Sequence, residues 1–206
     1  MRTTYIASIA LLALVGTAAG AQTRVSVSPE SKVWVEGTSN LHDWSCKATT
    51  LDATIEVDPA AAQIATASPK MLKSVRVKVP VKSLKCGHGG MDDNVYKALK
   101  ADDTPAISYI LANFDVTSAD PKDFTLHTVG TLSLAGKENN ISMDVEAVRL
   151  PDGTVKATGT VPVKMTDYGI KPPTAIFGRL KTGNEVKVKF ELTVGPKAIA
   201  ALTEQR

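Results

Sequence analysis

Apolar and polar residues alternate with a period of two along most of the chain. From Val186 to Val194 every even-numbered residue is apolar and every odd one polar: Val186, Val188, Phe190, Leu192 and Val194 are interleaved with Lys187, Lys189, Glu191 and Thr193. Successive side chains of a strand point to opposite faces, so this pattern predicts a strand with one buried face. Leu51, Ala53, Ile55 and Val57 alternate with Asp52, Thr54 and Glu56, and Val75 to Val81 alternates with Arg76, Lys78 and Pro80. Leu126–Leu134, Ile141–Ala147 and Val155–Val163 repeat the rhythm, and Lys32–Gly37 and Ala106–Ala112 complete a set of about eight predicted strands. Turn residues at Gly136 to Asn140 and at Pro151-Asp152-Gly153 separate neighbouring strands as hairpins do. Long one-sided strands in series argue for antiparallel pairing in a barrel or a sandwich.

One segment breaks the rhythm. Between Met91 and Lys100 the apolar residues are Met91, Val95, Ala98 and Leu99, the spacing of a helical stripe. Asp92 and Asp93 fall in its first turn and Lys97 and Lys100 near its end, as the helix dipole prefers. Gly87, Gly89 and Gly90 precede it as a flexible lead and Pro105 lies beyond it. This predicts a short helix packed on the sheet or across a barrel opening. Asp58 followed by Pro59-Ala60-Ala61-Ala62 is a second candidate helix start.

The extreme N-terminus follows neither rhythm. Arg2 supplies a positive start, Ile6 to Val15 is apolar without a charge, and Ala19-Gly20-Ala21 fits a cleavage site that leaves Gln22 first. The run is too short to span a bilayer, which needs about 20 residues. The expectation is a removed signal at residues 1–21 and a single soluble, exported domain at 22–206, periplasmic or secreted. An amphipathic or buried N-terminal helix is the alternative. There is no cysteine at the cleavage site to carry a lipid anchor.

The chain has 206 residues, 43% hydrophobic and 22% charged, so it is long enough to bury a core without metal and ordinary in balance. Aromatics are only 5%, which makes the expected interior mostly aliphatic. A formal net charge of +3 is too mild to argue for nucleic acid. Cys46 and Cys86 are the two cysteines. In an oxidising compartment an even pair most simply forms a disulfide, which for a loop of this length is worth about 4 kcal/mol in the chain-entropy model. Two buried free thiols, or a metal site with His42 and His88, stay open.

The inward faces carry small residues: Ala53, Gly130, Ala147, Ala157 and Gly159. An eight-stranded barrel either fills with side chains or holds one small ligand. These positions therefore leave volume for a cavity, or they accommodate strand crossings and the helix. An aliphatic wall selects a hydrocarbon chain: at about 0.8 kcal/mol per CH₂, one five-carbon prenyl unit contributes roughly 3 kcal/mol before entropy costs.

Candidate chemistry is sparse. His42 adjoins Asp43, but neighbouring strand residues face opposite ways, and local hydrogen bonds at a strand end are the simpler reading. His88 lies in a Gly-rich loop and His127 on a polar strand face. Asp167-Tyr168-Gly169-Ile170 reads as a turn with a left-handed glycine. Trp34 shares a face with Lys32 and Glu36, opposite Val33 and Val35. No nucleophile elbow, zincin motif or phosphate loop occurs, and no enzyme activity is expected.

Four stretches, taken in order, resemble the YceI-like family of exported, lipocalin-like lipid-binding proteins. They are Val33 to Trp44; Met91 to Lys100 with Thr104-Pro105-Ala106-Ile107; Gly130-Thr131-Leu132-Ser133-Leu134-Ala135-Gly136; and Asp167 to Ile170 with Val186 to Leu192. The resemblance implies an all-β, eight-stranded antiparallel barrel with one or two short helices. It implies a bound polyisoprenoid, such as an isoprenoid quinone, as ligand and no cofactor or catalytic residue. The departures are the cysteine pair and the Lys171-Pro172-Pro173-Thr174 loop, which could reshape one cavity mouth. The expected lining is Trp44, Tyr109, Leu132, Met143, Val161 and Phe190. The competing functions are a filled structural or interaction barrel without ligand, and a haem- or metal-binding barrel using His42. The expected partner is a hydrophobic lipid. Neither nucleic acid binding nor a membrane span is expected; transient membrane contact for ligand exchange and the choice of monomer or dimer stay open.

Overall fold

The computed structural model describes residues 23–58, 72–120, 122–175 and 177–195. The expected signal at 1–21 and the helix start at Pro59-Ala60-Ala61-Ala62 lie outside the described residues. In chain order the elements are β1 (Thr23–Ser26), β2 (Lys32–Ser39), β3 (Trp44–Ala48), β4 (Asp52–Val57), β5 (Leu72–Pro80), β6 (Leu84–Lys85), α1 (Gly89–Ala98), β7 (Ala106–Ala119), β8 (Asp123–Leu134), β9 (Lys137–Arg149), β10 (Val155–Lys164), β11 (Thr174–Ala175) and β12 (Leu180–Val194). Short 3₁₀ turns cover Val81–Ser83 and Met165–Tyr168.

The chain is all-β with one helix. Its sheet is antiparallel and curled, and its paired path runs β1-β4-β5-β7-β8-β9-β10-β12-β2-β3-β6, with β11 added beside β12. All eight expected strands are present. The path has eleven strands because four short elements, β1, β3, β6 and β11, were not expected and three of them lie on it. Curling has a local cause. The long strand β7 slips register against β8 between Leu111 and Asn113 and again between Val116 and Ser118, and β12 slips against β2 between Thr182 and Val186. Such bulges raise the twist and bend a long strand.

Alternation dictates which face is inside. On β8, Phe124, Leu126, Thr128, Gly130 and Leu132 are all buried while the intervening residues are more exposed. The β8–β9 hairpin is tighter than the expected Gly136 to Asn140: Leu134 pairs with Lys137 across Ala135 (φ 51°) and Gly136 (φ 80°), a two-residue turn whose twist matches the strands. Pro151-Asp152-Gly153 separates β9 from β10, and Gly169 is left-handed (φ 67°), both as expected.

The interior holds two apolar clusters. Leu132, Val161, Val163, Met165, Tyr168, Ile170 and Val186 form one, with Met143 packed against it. Phe114, Phe124, Leu126 and Ala147 form the other. Between them, at Gly130 on β8 and Gly159 on β10, the interior is occupied by rings. A Cβ on Gly130 would fall 2.5 Å from the Tyr109 ring, and one on Gly159 would strike the Phe190 ring. Hence these two glycines leave volume neither for a cavity nor for a strand crossing; an aromatic from the neighbouring strand fills each gap.

Gly130→Val should therefore destabilise the protein by about 1–3 kcal/mol, the usual cost of overpacking. A urea melt checks this, and an unchanged midpoint would mean the Tyr109 ring lies elsewhere.

Candidate functional site

At the end of the sheet beyond Leu132 lies a cavity of about 340 Å³. Val33 and Val35 from β2, Ile107 from β7, Leu132 and Leu134 from β8, Val163 from β10, and Val186 and Val188 from β12 make its wall. Each belongs to the inward register of its strand. The roof is α1. Met91, Val95 and Ala98, with Leu99 just beyond, all line the cavity, so the helical stripe legible in the sequence is the surface that covers this end of the curled sheet. None of the helix's residues is fully buried: Ala98, with Leu99, packs against the first cluster, while Met91 and Val95 look onto the open volume.

Something other than burial must hold such a helix. Tyr96 places its hydroxyl 2.9 Å from the Leu84 carbonyl and 3.0 Å from the Lys82 carbonyl, and Lys85 donates to it at 2.7 Å. Asp92 accepts from the Cys86 backbone N–H at 2.7 Å and pairs with Lys85 at 3.4 Å. Cys46 and Cys86 are joined in a disulfide, with Cys46 fully buried. The bridge ties β3 to the residues leading into α1 and leaves no thiol for the metal reading. The helix begins two residues earlier than expected, so Gly89 and Gly90 form its first turn rather than a flexible lead.

The rim is polar. Ser39 and His42 reach it from the β2–β3 turn, His88 and Asn94 from α1 and its lead, and Thr174 and Thr182 from the segments around β11 and β12. Ser39 Oγ donates to the His42 carbonyl at 2.7 Å and accepts from the His42 N–H at 3.1 Å, locking the turn. His42 Nδ1 lies 2.8 Å from the Asp43 carbonyl. A carbonyl can only accept, so Nδ1 carries the proton in neutral His42, and Nε2 is left as an acceptor. This local bond fixes the turn as expected of His42 and Asp43. Among the described residues no group of three or more His, Cys, Asp and Glu side chains gathers that could hold a metal ion.

The expected lining residues divide. Trp44 and Leu132 line the cavity. Trp44 lies across Gly37, where a Cβ would meet its indole, and its Nε1 donates to the Thr38 carbonyl at 3.1 Å. Val161 and Met143 belong to the adjoining packed cluster instead. Tyr109 and Phe190 are the rings over Gly130 and Gly159, one step deeper than the cavity. Burial pushes the Tyr109 phenol above its ordinary range, and the neighbouring Thr128 hydroxyl offsets part of that. Thr128 spends its own proton on the Met143 carbonyl at 3.0 Å, and the phenol oxygen is left without a formed hydrogen bond. Trp34 bonds Glu36 at 2.8 Å and also borders the cavity, and His127 bonds Asp144 at 2.7 Å. Pro173 and Thr174 of the unusual loop do reach the cavity rim.

The profile of the YceI-like domain matches residues 21–194. The chain belongs to the YceI-like family. Solved structures share the fold of this YceI-like protein at low identity. BcnA from Burkholderia cenocepacia is 18% identical with a TM-score of 0.65, the match covering 81% of this chain and 98% of that one. A polyisoprenoid binding domain from Saccharophagus degradans implicated in plant cell wall breakdown is 12% identical with a TM-score of 0.64, covering 85% and 99%. A YceI protein from Campylobacter jejuni is 18% identical with a TM-score of 0.54, covering 76% and 82%. No curated protein matches the sequence. No helix among the described residues is long and apolar enough to cross a membrane.

Removing the bridge of this YceI-like protein with Cys46→Ala/Cys86→Ala should lower stability by about 2–4 kcal/mol. Denaturant titration of the two proteins checks it. Alkylation of the wild type without reductant should add no label, and two labelled thiols would contradict the bridge.

Proposed function

We propose that this protein is an exported binding protein, not an enzyme, that holds a polyisoprenoid-type lipid such as an isoprenoid quinone. One observation carries the reading: a 340 Å³ volume walled by aliphatic side chains and roofed by the apolar stripe of α1, with polar groups only at its rim. That size falls within the range of small-molecule sites. A wall of this kind rewards hydrocarbon and offers a polar substrate no partner, while a head group at the rim would meet His42, His88 and Asn94. The Saccharophagus degradans domain, described as polyisoprenoid binding, supports the choice of ligand class. In this reading Trp44 and Leu132 touch the chain, and Tyr109 and Phe190, backed by Val161 and Met143, form the floor that limits how deep it enters.

Export fits the Cys46–Cys86 bridge, which persists in an oxidising compartment. Residues 1–21 are read as the removed signal and 22–206 as one domain. We further infer that the sheet closes as a ring of eight. Lys47 pairs with Lys85 and Ala48 with Leu84, and a few residues on Asp52 pairs with Lys78 and Ala53 with Val77. The Thr49 N–H donates to the Ser83 carbonyl at 2.9 Å between these two ladders. Taken together, β3 with β4 and β5 with β6 are two strands, each bent once, and the two ends of the paired path then meet.

Native mass spectrometry of the gently purified protein, before and after adding an isoprenoid quinone, tests the function. A bound mass in the isoprenoid range is the expected result, and an empty protein that takes up no added quinone would sink the reading. Ala98→Trp would place an indole in the cavity without burying a charge. It should lower quinone binding at least about tenfold, the effect of losing roughly two buried CH₂ contacts, while leaving the melting midpoint within a few degrees.

A further inference from the structure

Two turns bearing exposed apolar side chains meet at the cavity rim. Leu41, in the β2–β3 turn, is 70% exposed, and Phe177, between β11 and β12, is fully exposed. Neither lines the cavity, though their neighbours do: Ser39 and His42 on one turn, Pro173, Thr174, Leu180 and Thr182 on the other. The turns are fastened into one plate by Asn40. Its side-chain amide donates to the Arg179 carbonyl at 2.8 Å, its side-chain oxygen accepts from the Lys181 N–H at 2.8 Å, and its own N–H donates to the Lys181 carbonyl at 3.1 Å.

Phe177 serves neither folding nor the cavity wall. Its backbone is left-handed (φ 53°), a conformation that a bulky aromatic rarely adopts, and Gly178 continues it (φ 82°). The turn thus spends conformational energy to present a ring to solvent. The charge of these two turns is mostly positive. Lys171, Arg179 and Lys181 are exposed, and among the described residues none is in an ion pair. Asp43 is the single acidic residue in segments 39–43 and 171–182.

We propose that this plate docks the protein on an anionic lipid bilayer, with Phe177 and Leu41 entering the acyl boundary and Lys171, Arg179 and Lys181 facing the head groups. Apolar points ringed by basic side chains are the pattern of interfacial binding, in which buried apolar area and attraction to anionic lipid add. Protruding single residues suit a fluid surface, which closes around them, better than a rigid protein partner needing a matching pocket. The position completes the argument: the plate frames the cavity mouth, so docking would let a hydrocarbon chain pass between bilayer and cavity without crossing water. That exchange role rests on the lipid-binding reading above; the docking itself does not.

Co-sedimentation of the purified protein with vesicles tests it. The wild type should bind mixed phosphatidylcholine/phosphatidylglycerol vesicles more tightly than pure phosphatidylcholine. Phe177→Ser should weaken binding about tenfold or more, as expected for withdrawing a phenyl ring from an apolar phase. Changing Lys171, Arg179 and Lys181 one at a time to Gln should cost roughly fivefold each and erode the preference for phosphatidylglycerol. Because these residues are exposed, melting midpoints should not move, and uptake of isoprenoid quinone from detergent solution should match the wild type. A wild type that ignores the anionic vesicles, or a Phe177→Ser variant that binds them equally well, overturns the proposal. So does a Phe177-dependent self-association in sedimentation without vesicle binding, which would assign the plate to a protein partner. Vesicle binding through Phe177 in a protein that takes up no quinone would leave docking standing and remove the lipid-carrier reading instead.

Discussion

The site depends on a helix that burial alone cannot hold. A ten-residue helix is marginal in water, and in proteins most helical stability comes from packing an apolar face. In α1 only the end of that face at Ala98, with Leu99, packs on the core, and Met91 and Val95 look onto open volume. Polar ties and a covalent bond take over: Tyr96 against the Lys82 and Leu84 carbonyls, Asp92 on the Cys86 N–H and Lys85, and the disulfide from Cys86 to the buried Cys46. Asp92 and Tyr96 follow Met91 and Val95 directly, so these anchors run along one flank of the stripe. The roof is therefore kept in place without filling the space beneath it, and the cavity exists as a consequence.

Away from that space the interior is filled by rings packed on glycines. Tyr109 and Phe190 occupy the interior over Gly130 and Gly159, between the cluster around Val161 and the one around Phe114. A side chain at either glycine would expel the ring, and the interior would have to repack. The cavity lies toward the helix end, lined by Leu132 and Leu134 and by neither ring. The same arrangement buries the Tyr109 hydroxyl without a formed hydrogen bond, a cost the structure accepts at the centre of an otherwise apolar interior.

The relatives in hand share architecture rather than residues. At 12% to 18% identity, the structures from Saccharophagus degradans and Burkholderia cenocepacia establish a common fold and leave the details of each interior to each sequence. For this chain those details are the Cys46–Cys86 bridge, the Pro173 and Thr174 rim, and the exposed Phe177 beside it. They concern the roof and the mouth of the cavity, where a lipid would enter, and not its aliphatic wall.

Much of the fold was legible because one physical rule wrote it. A strand with one buried face must alternate, and β4, β5, β8, β9, β10 and β12 announced themselves that way, with β2 and β7 read as strands beside them; the stripe of α1 did so with its own period. The short strands β1, β3, β6 and β11 left no such signal, since two to five residues are too few to show a rhythm and pair only where the sheet offers an edge. The candidate site was half legible. Trp44 and Leu132 could be picked from inward faces, but Tyr109, Met143, Val161 and Phe190 could not be told from them, because alternation assigns a face and not a depth. Depth comes from contacts between strands paired across the sheet, such as Phe190 lying directly opposite Gly159 and filling the space its missing side chain leaves. The sequence by itself determined the strands, their inward faces and the helical stripe, through local periodicity. Only the tertiary structure decided which inward residues meet and which face a void, because that depends on how rings and glycines from different strands coincide in space.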